Sequence, residues 1–129
     1  MIMVDSSVWI DFFLGHDTPQ VDLLDRALGM RPVMIGDLVM TEVLQGFRED
    51  KDYKTALSLL NRLLVVDLLG KENAIRSAEN FRKLRKKGIT IRKTADVIIA
   101  TYCIANAIPL LFSDKDFQPF VDHLNLIAV

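Results

Sequence analysis

The sequence contains little cysteine and histidine and no marked excess of either charge. Its one cysteine, Cys103, excludes an intramolecular disulfide, and one cysteine with two histidines is too few for a Cys/His zinc site. The formal net charge of −1 favours neither nucleic acid nor a membrane surface as a partner. The opening segment MIMVD has no basic leader, so it does not have the pattern of a signal peptide.

Long hydrophobic runs are also missing. The most apolar stretch, residues 97–112, is interrupted by Thr101, Asn106 and Pro109 and is too short to span a bilayer. The composition, 50% hydrophobic and 26% charged, is that of a globular protein, and 129 residues suffice for one domain with one core. We therefore expect a single domain, residues 1–129, located in the cytoplasm without a membrane segment.

Short apolar segments alternate with amphipathic ones along the chain. Strands are predicted at 1–4, 33–35, 64–69, 110–112 and 126–129, and helices at 8–14, 19–28, 38–47, 50–64, 71–87 and 95–105, with a short helix after 114 or 116. Ser6 or Ser7, Asp37 and Thr94 are the predicted N-caps of three helices. This alternation predicts an α/β fold whose mostly parallel sheet of about five short strands is covered on both faces.

Four carboxylates lie at the end of a predicted strand or in a helix that follows one: Asp5, Glu42, Asp96 and Asp114. In open parallel sheets the working site lies beyond the carboxyl ends of the strands. Clustered acids oppose each other's ionisation, and oxygen ligands favour a hard divalent cation, Mg²⁺ or Mn²⁺. The sequence thus predicts a metal-dependent enzyme. Each acid also has a plainer interpretation, as a helix cap, a first-turn acid or a surface residue.

Four motifs resemble those of PIN-domain proteins, especially the VapC toxins of bacterial toxin–antitoxin pairs. They are DSSVWID at 5–11, TEVLQG at 41–46, DVIIA at 96–100 and LLFSDKDF at 110–117. They follow the order of the family across nearly the whole chain. The resemblance implies the PIN fold, a Rossmann-like three-layer α/β/α sandwich, and Mg²⁺- or Mn²⁺-dependent endoribonuclease activity on RNA.

The resemblance also implies roles for individual residues and partners. The catalytic, metal-binding acids would be Asp5, Glu42, Asp96 and Asp114, with Asp116 as a candidate fifth ligand. Ser6 would support the site by hydrogen bonding. The family further implies a homodimer that forms a hetero-oligomer with a VapB-type antitoxin. The chain departs from many relatives at residue 112, where phenylalanine replaces the threonine that they carry.

Basic residues are concentrated between residues 71 and 93, a stretch whose only acids are Glu72 and Glu79. Such a run is often only the solvated face of a helix. Its functional interpretation is a surface that follows RNA phosphates with salt-dependent affinity. The candidate RNA-binding residues are Arg85, Lys86, Lys87, Arg92 and Lys93.

The sequence leaves two other functions open. One is a non-catalytic RNA- or protein-binding module of the same fold. The other is an aspartate-based phosphatase or phosphotransfer domain, although the segment Asp5-Ser6-Ser7 lacks the second acid of an Asp-x-Asp motif. His16 and His123 lie outside all four motifs, so water activation in a nuclease would fall to metal and carboxylates, with one or two metals.

Overall fold

The computed structural model describes residues 1–129 as a four-stranded sheet flanked by seven α-helices. In chain order the elements are β1 (Ile2–Val4), α1 (Ser6–Leu14), α2 (Pro19–Met30), β2 (Val33–Gly36), α3 (Asp37–Gln45), α4 (Asp50–Leu60), β3 (Leu64–Val66), α5 (Lys71–Lys86), α6 (Thr94–Ala105), β4 (Leu110–Leu111), a 3₁₀ turn (Lys115–Phe117) and α7 (Gln118–Leu124). No helix combines the length and apolar character needed to cross a membrane.

The sheet is entirely parallel, with strand order β3-β2-β1-β4. Every residue of β1, β2 and β4 is buried, as expected for parallel strands covered by helices on both faces. Because the strands are parallel, each connection between consecutive strands is a crossover through helices. The predicted α/β architecture is confirmed.

The sheet has four strands rather than about five, because residues 126–129 make only one bridge. Leu110 donates its N–H to the carbonyl of Ile127 (2.9 Å) and accepts from the N–H of Val129 (3.1 Å). Of these last four residues only Leu126 is buried. Because this terminal segment buries so little of its apolar surface, little holds it along the full edge of β4.

Strand β3 ends at Val66, earlier than the predicted end at residue 69. Leu68 leaves the strand and packs, fully buried, against the backbone of Gly36 at the end of β2. Its N–H donates to Oδ1 of Asp37 (3.1 Å), which also accepts from Leu38 N–H (2.8 Å). Asp37 is thus the first residue of α3 and not its N-cap, and it ties the helix to the end of β3.

The apolar side chains form one continuous core around the sheet. Trp9 from α1, Phe117 from the 3₁₀ turn and Phe120 from α7 are its largest fully buried members. Helix α6 is buried along most of its length, as its nearly all-apolar sequence predicts. Its N-cap is Lys93, and the predicted cap Thr94 is its first helical residue. The core therefore fixes α1 and α6, two helices that carry or adjoin candidate acids.

Candidate metal centre

The four motifs come together at the carboxyl edge of the sheet. Strands β1 and β4 are neighbours, with Val4 beside Leu111, so the acids that follow them, Asp5 and Asp114, emerge at the same edge. Glu42 lies on α3, which follows the adjacent strand β2. Asp96 lies in the first turn of α6, which follows helix α5 and not a strand as predicted. The order of the parallel strands therefore gathers acids that are far apart in sequence.

Asp5 is buried and serves as the N-cap of α1. Its Oδ2 accepts the hydroxyl of Ser7 (2.9 Å) and lies 3.4 Å from the Ser7 backbone N. The predicted caps, Ser6 and Ser7, are the first two helical residues instead, because Asp5 has the extended backbone that a cap requires. The side-chain hydrogen bond expected from Ser6 comes from Ser7.

Three carboxylate oxygens in this region are buried without any hydrogen-bond partner. They are Oδ1 of Asp5, Oε1 of Glu42 and Oδ2 of Asp96. A buried polar atom left without a partner is costly, and such atoms are rare in folded proteins. Oxygen-only donors from several carboxylates match the preference of hard divalent cations. The residues present therefore fit a bound Mg²⁺ or Mn²⁺.

Asp114 and Asp116 complete the acidic cluster beside Asp96. One carboxylate oxygen from each of these three residues lies within 4.8 Å of the others, a spacing that would allow them to share one cation. Asp114 caps the 3₁₀ turn, because its Oδ1 accepts the N–H of Asp116 at 2.9 Å. Both aspartates therefore lie at the centre, and Asp114 also acts as a cap. The sequence had left open only whether Asp116 belongs to the site.

The pKa values reflect burial and crowding of like charge. Burial, followed by the charge of Asp5, raises the pKa of Asp96 to about 7. Burial likewise raises the pKa of Asp5, against hydrogen bonds from Ser7, and that of Glu42, to which the charge of Asp5 contributes. The pKa of Asp114 is instead lowered, chiefly by the N–H of Asp116. Perturbed acids in one cluster are typical of functional sites.

Two of the five candidate RNA-binding cations contact the acids directly. Nζ of Lys93 lies 3.4 Å from Oδ2 of Asp114, and a guanidinium nitrogen of Arg92 lies 3.2 Å from Oδ2 of Asp116. The charges of Asp96 and Asp114 raise the pKa of Lys93. The sequence placed these residues beside the centre, whereas in the structure they take part in it.

The other three candidate cations lie away from the acids. Arg85 on α5 lies over the ring of Phe81 (5.5 Å to the ring centroid) and borders an apolar groove of about 530 Å³ between α5 and α6. Lys86 and Lys87 line a separate concavity together with His123. None of the acids of the metal centre lines either surface.

Two features of the site were missed by the sequence analysis. The first is the hydrogen bond from Ser7 to Asp5. An N-cap side chain often bonds the second helical residue, and this preference could have indicated it. The second is the ion pair of Lys93 with Asp114, which joins segments 21 residues apart and has no local signal in the sequence. The sequence motifs therefore located the acids but not the contacts that the side chains of Ser7 and Lys93 make with them.

Comparison with known proteins gives consistent similarities over the whole chain. The sequence model of the PIN domain matches residues 2–120. Two curated proteins, ribonuclease VapC11 of Mycobacterium tuberculosis (strain H37Rv) and VapC ribonuclease Mb1587 of Mycobacterium bovis, are each 25% identical over 130 residues. Each alignment covers 99% of this chain and 97% of the relative.

Solved structures with the same fold include toxin–antitoxin complexes. The chain is similar to one from the Rickettsia felis VapBC2 structure bound to a promoter DNA fragment (TM-score 0.78, 22% identity, 100% and 98% of the two chains covered). It is also similar to a chain of a Klebsiella pneumoniae toxin–antitoxin complex (TM-score 0.73, 16% identity, 99% and 97% of the two chains covered). A third similar structure is Mycobacterium tuberculosis VapC20, described as a sarcin-ricin loop cleaving toxin (TM-score 0.68, 17% identity, 92% and 93% of the two chains covered).

Proposed function

Because this chain belongs to the PIN-domain family, we propose that it is a metal-dependent endoribonuclease of the VapC toxin type, with residues 1–129 forming one PIN domain. The resemblance to VapC toxins predicted from the four motifs is confirmed by the curated relatives. The observation that carries the proposed chemistry is the set of three buried, unpartnered carboxylate oxygens of Asp5, Glu42 and Asp96.

The proposed ligands of Mg²⁺ or Mn²⁺ are Asp5, Glu42, Asp96 and Asp114, with Asp116 as the candidate fifth. Bound there, the metal would supply Lewis acidity for attack of water on a phosphodiester. Ser7 holds Asp5 by one oxygen and leaves the other without a partner, and the N–H of Asp116 fixes Asp114 by its Oδ1. The chain thus orients its ligands through local hydrogen bonds before any cation arrives.

The proposed partners follow from the toxin type. We expect the substrate to be a cytoplasmic RNA, and the activity to be neutralised by a VapB-type antitoxin within a toxin–antitoxin hetero-oligomer built on a toxin homodimer. The solved toxin–antitoxin complexes with the same fold support the pairing with an antitoxin. Co-expression with a candidate VapB-type antitoxin, followed by size-exclusion chromatography, would detect the complex.

The decisive experiment compares wild type, Asp5→Asn and Asp25→Asn on a mixed cellular RNA pool. Asp25 is exposed on α2 and lies outside the metal centre, so its substitution controls for loss of one negative charge. Each protein is incubated with Mg²⁺, with Mn²⁺ and with EDTA, and products are mapped by end sequencing. We expect cleavage by wild type and Asp25→Asn only with metal, and none by Asp5→Asn.

Full activity of Asp5→Asn would refute the proposed site. A folded wild type that binds RNA equally well in EDTA and cleaves none of it would instead favour the non-catalytic binding module. Circular dichroism of all three proteins excludes misfolding as the cause of a lost activity.

A further inference from the structure

Two consecutive cations hold two acids of the metal centre across different loops. Lys93 and Arg92 precede α6, and their partners Asp114 and Asp116 follow β4. The pairs are parallel: Lys93 with Asp114 and Arg92 with Asp116. The same two aspartates are among the three acids whose spacing suits a shared cation. Protein cations and a metal would therefore compete for the same carboxylates.

The competition is sharpest at Asp114, because both of its oxygens are already engaged. Oδ1 accepts the backbone N–H of Asp116, and Oδ2 lies 3.4 Å from the ammonium of Lys93. A divalent ion that binds Asp114 through Oδ2 competes directly with this ammonium, and one that binds through Oδ1 brings two cations close together. Like charges at such separation repel, so metal binding weakens the ion pair.

The backbone of Lys93 is anchored, whereas its side chain is free to move. It is the N-cap of α6, and its carbonyl accepts the N–H of Asp96 at 3.2 Å, which anchors the main chain. Its side chain is 58% exposed and pairs with no group other than Asp114. The ammonium can therefore move into solvent without disturbing the helix that carries Asp96.

Arg92 differs from Lys93 in its relation to the centre. Its side chain is 77% exposed and contacts only Asp116. The charge of Lys93, by contrast, acts on Asp96 and Glu42 as well as on Asp114. Lys93 is thus the cation that balances the cluster as a whole.

We propose that Lys93 is a displaceable counter-cation: it neutralises the metal-free centre through Asp114, is released when a divalent metal binds, and then contacts a phosphate of the RNA. The last step rests on the proposed function, whereas the exchange of ammonium for metal does not. In this arrangement the positive charge needed by the polyanionic substrate becomes available only once the metal is in place.

The exchange is tested by titrating Mn²⁺ into metal-free protein by isothermal calorimetry, with no RNA present. The variants are Lys93→Met, Lys93→Arg and Lys87→Met, the last removing an exposed lysine that has no carboxylate partner. At pH 8.5, well above the pKa of about 7 of Asp96, we expect Lys93→Met to bind Mn²⁺ about three- to tenfold more tightly than wild type, because a competing charge is gone. Lys93→Arg and Lys87→Met should match wild type. Unchanged or weaker binding by a folded Lys93→Met would overturn the exchange.

The phosphate contact is tested by the binding of a single-stranded oligonucleotide in Ca²⁺, a readout that requires no cleavage. Removal of one phosphate contact should reduce the slope of log affinity against log salt by about 0.7 in Lys93→Met and leave it unchanged in Lys87→Met. Equal slopes in Lys93→Met and wild type would refute the contact. Because neither assay measures turnover, an inactive wild type would refute the proposed nuclease without deciding the role of Lys93.

Discussion

Ser7 donates its hydroxyl to Oδ2 of Asp5 over 2.9 Å, and the other oxygen of Asp5 is left buried and without a partner. The two oxygens of one carboxylate thus have separate tasks. Oδ2 caps helix α1 and is held by Ser7, whereas Oδ1 is left available for a cation. The hydrogen bond also opposes the rise in the pKa of Asp5 that burial causes, so it favours the ionised form that a metal requires.

Ser7→Ala is expected to weaken Mn²⁺ binding by about threefold to tenfold, since it removes a hydrogen bond to a charged acceptor. Ser6→Ala is the matched control, one residue earlier on the same helix. Its hydroxyl makes no contact with Asp5, so binding should stay at the wild-type level, and Ser7→Thr should restore most of the affinity. Calorimetric titration at pH 7.5 measures all three. Equal losses in Ser6→Ala and Ser7→Ala would show that a general effect of substitution at the start of α1, and not the hydrogen bond to Asp5, sets the affinity.

Metal-free protein is expected to become less stable as the pH rises from 5 to 8. The pKa of Asp96 is about 7 in the folded protein against an ordinary 3.8, so between these values the folded state holds a proton that the unfolded state has lost. The free energy of unfolding therefore falls as pH rises toward 7, by at most about 1.4 kcal/mol for each pH unit. The raised pKa values of Asp5 and Glu42 act in the same direction.

Urea unfolding in EDTA at several pH values between 5 and 8 measures this slope. Asp96→Asn should flatten it and should be more stable than wild type at pH 8, because no charge is then buried at this position and the repulsion from Asp5 is relieved. Asp114 does not disturb the comparison, since its lowered pKa affects stability only below the ordinary range of an aspartate. A wild-type protein whose stability rises over this range would contradict the expected repulsion.

Gly36→Ala is expected to destabilise the fold by about 1–3 kcal/mol through overpacking. A β-carbon there would collide with the fully buried side chain of Leu68. Gly36 also joins β2 to α3, the helix that carries Glu42, so metal affinity should fall together with stability. Thermal unfolding and Mn²⁺ titration measure the two effects.

Two further variants separate the collision from a general glycine effect. Gly29→Ala on α2 adds a β-carbon into open space and should be neutral or stabilise the helix by about 0.5–1 kcal/mol. Leu68→Ala alone leaves a cavity, and combining it with Gly36→Ala should cost less than the sum of the single changes. Strict additivity would mean that Gly36 and Leu68 do not compete for the same space.

The sequence located Asp5 and Asp114 because their placement follows from rules that operate over short segments. Asp5 and Asp114 each follow a short apolar strand, and parallel strands bring their carboxyl ends to one edge. Glu42 and Asp96 depended on the resemblance to a family, since helical spacing alone did not distinguish them from surface acids. The fold class needed only the alternation of apolar strands and amphipathic helices.

The remaining features depend on long-range packing that no local pattern encodes. The end of β3 is set by Leu68 meeting Gly36, residues 32 positions apart, and the last strand is reduced to a bridge because its side chains have nothing to cover them. The role of Lys93 depends on Asp114, which lies in another loop. A run of basic residues indicated that these cations mattered, but only the fold separates Lys93 from Lys87.

Replacing Arg85, Lys86 and Lys87 together by alanine should raise the KM for RNA and reduce its salt dependence if the C-terminal end of α5 follows substrate phosphates. These side chains are exposed, and they lie on surfaces apart from the acids, where they would contact RNA beyond the cleaved bond.

The control is the triple alanine variant of Lys51, Lys54 and Arg62, which changes the net charge equally at an exposed surface elsewhere. Removing each phosphate contact should lower the slope of log affinity against log salt by about 0.7, while turnover at saturating RNA stays unchanged. If both triple variants shift KM and slope alike, only net charge is at work, and the basic end of α5 is a solvated helix face.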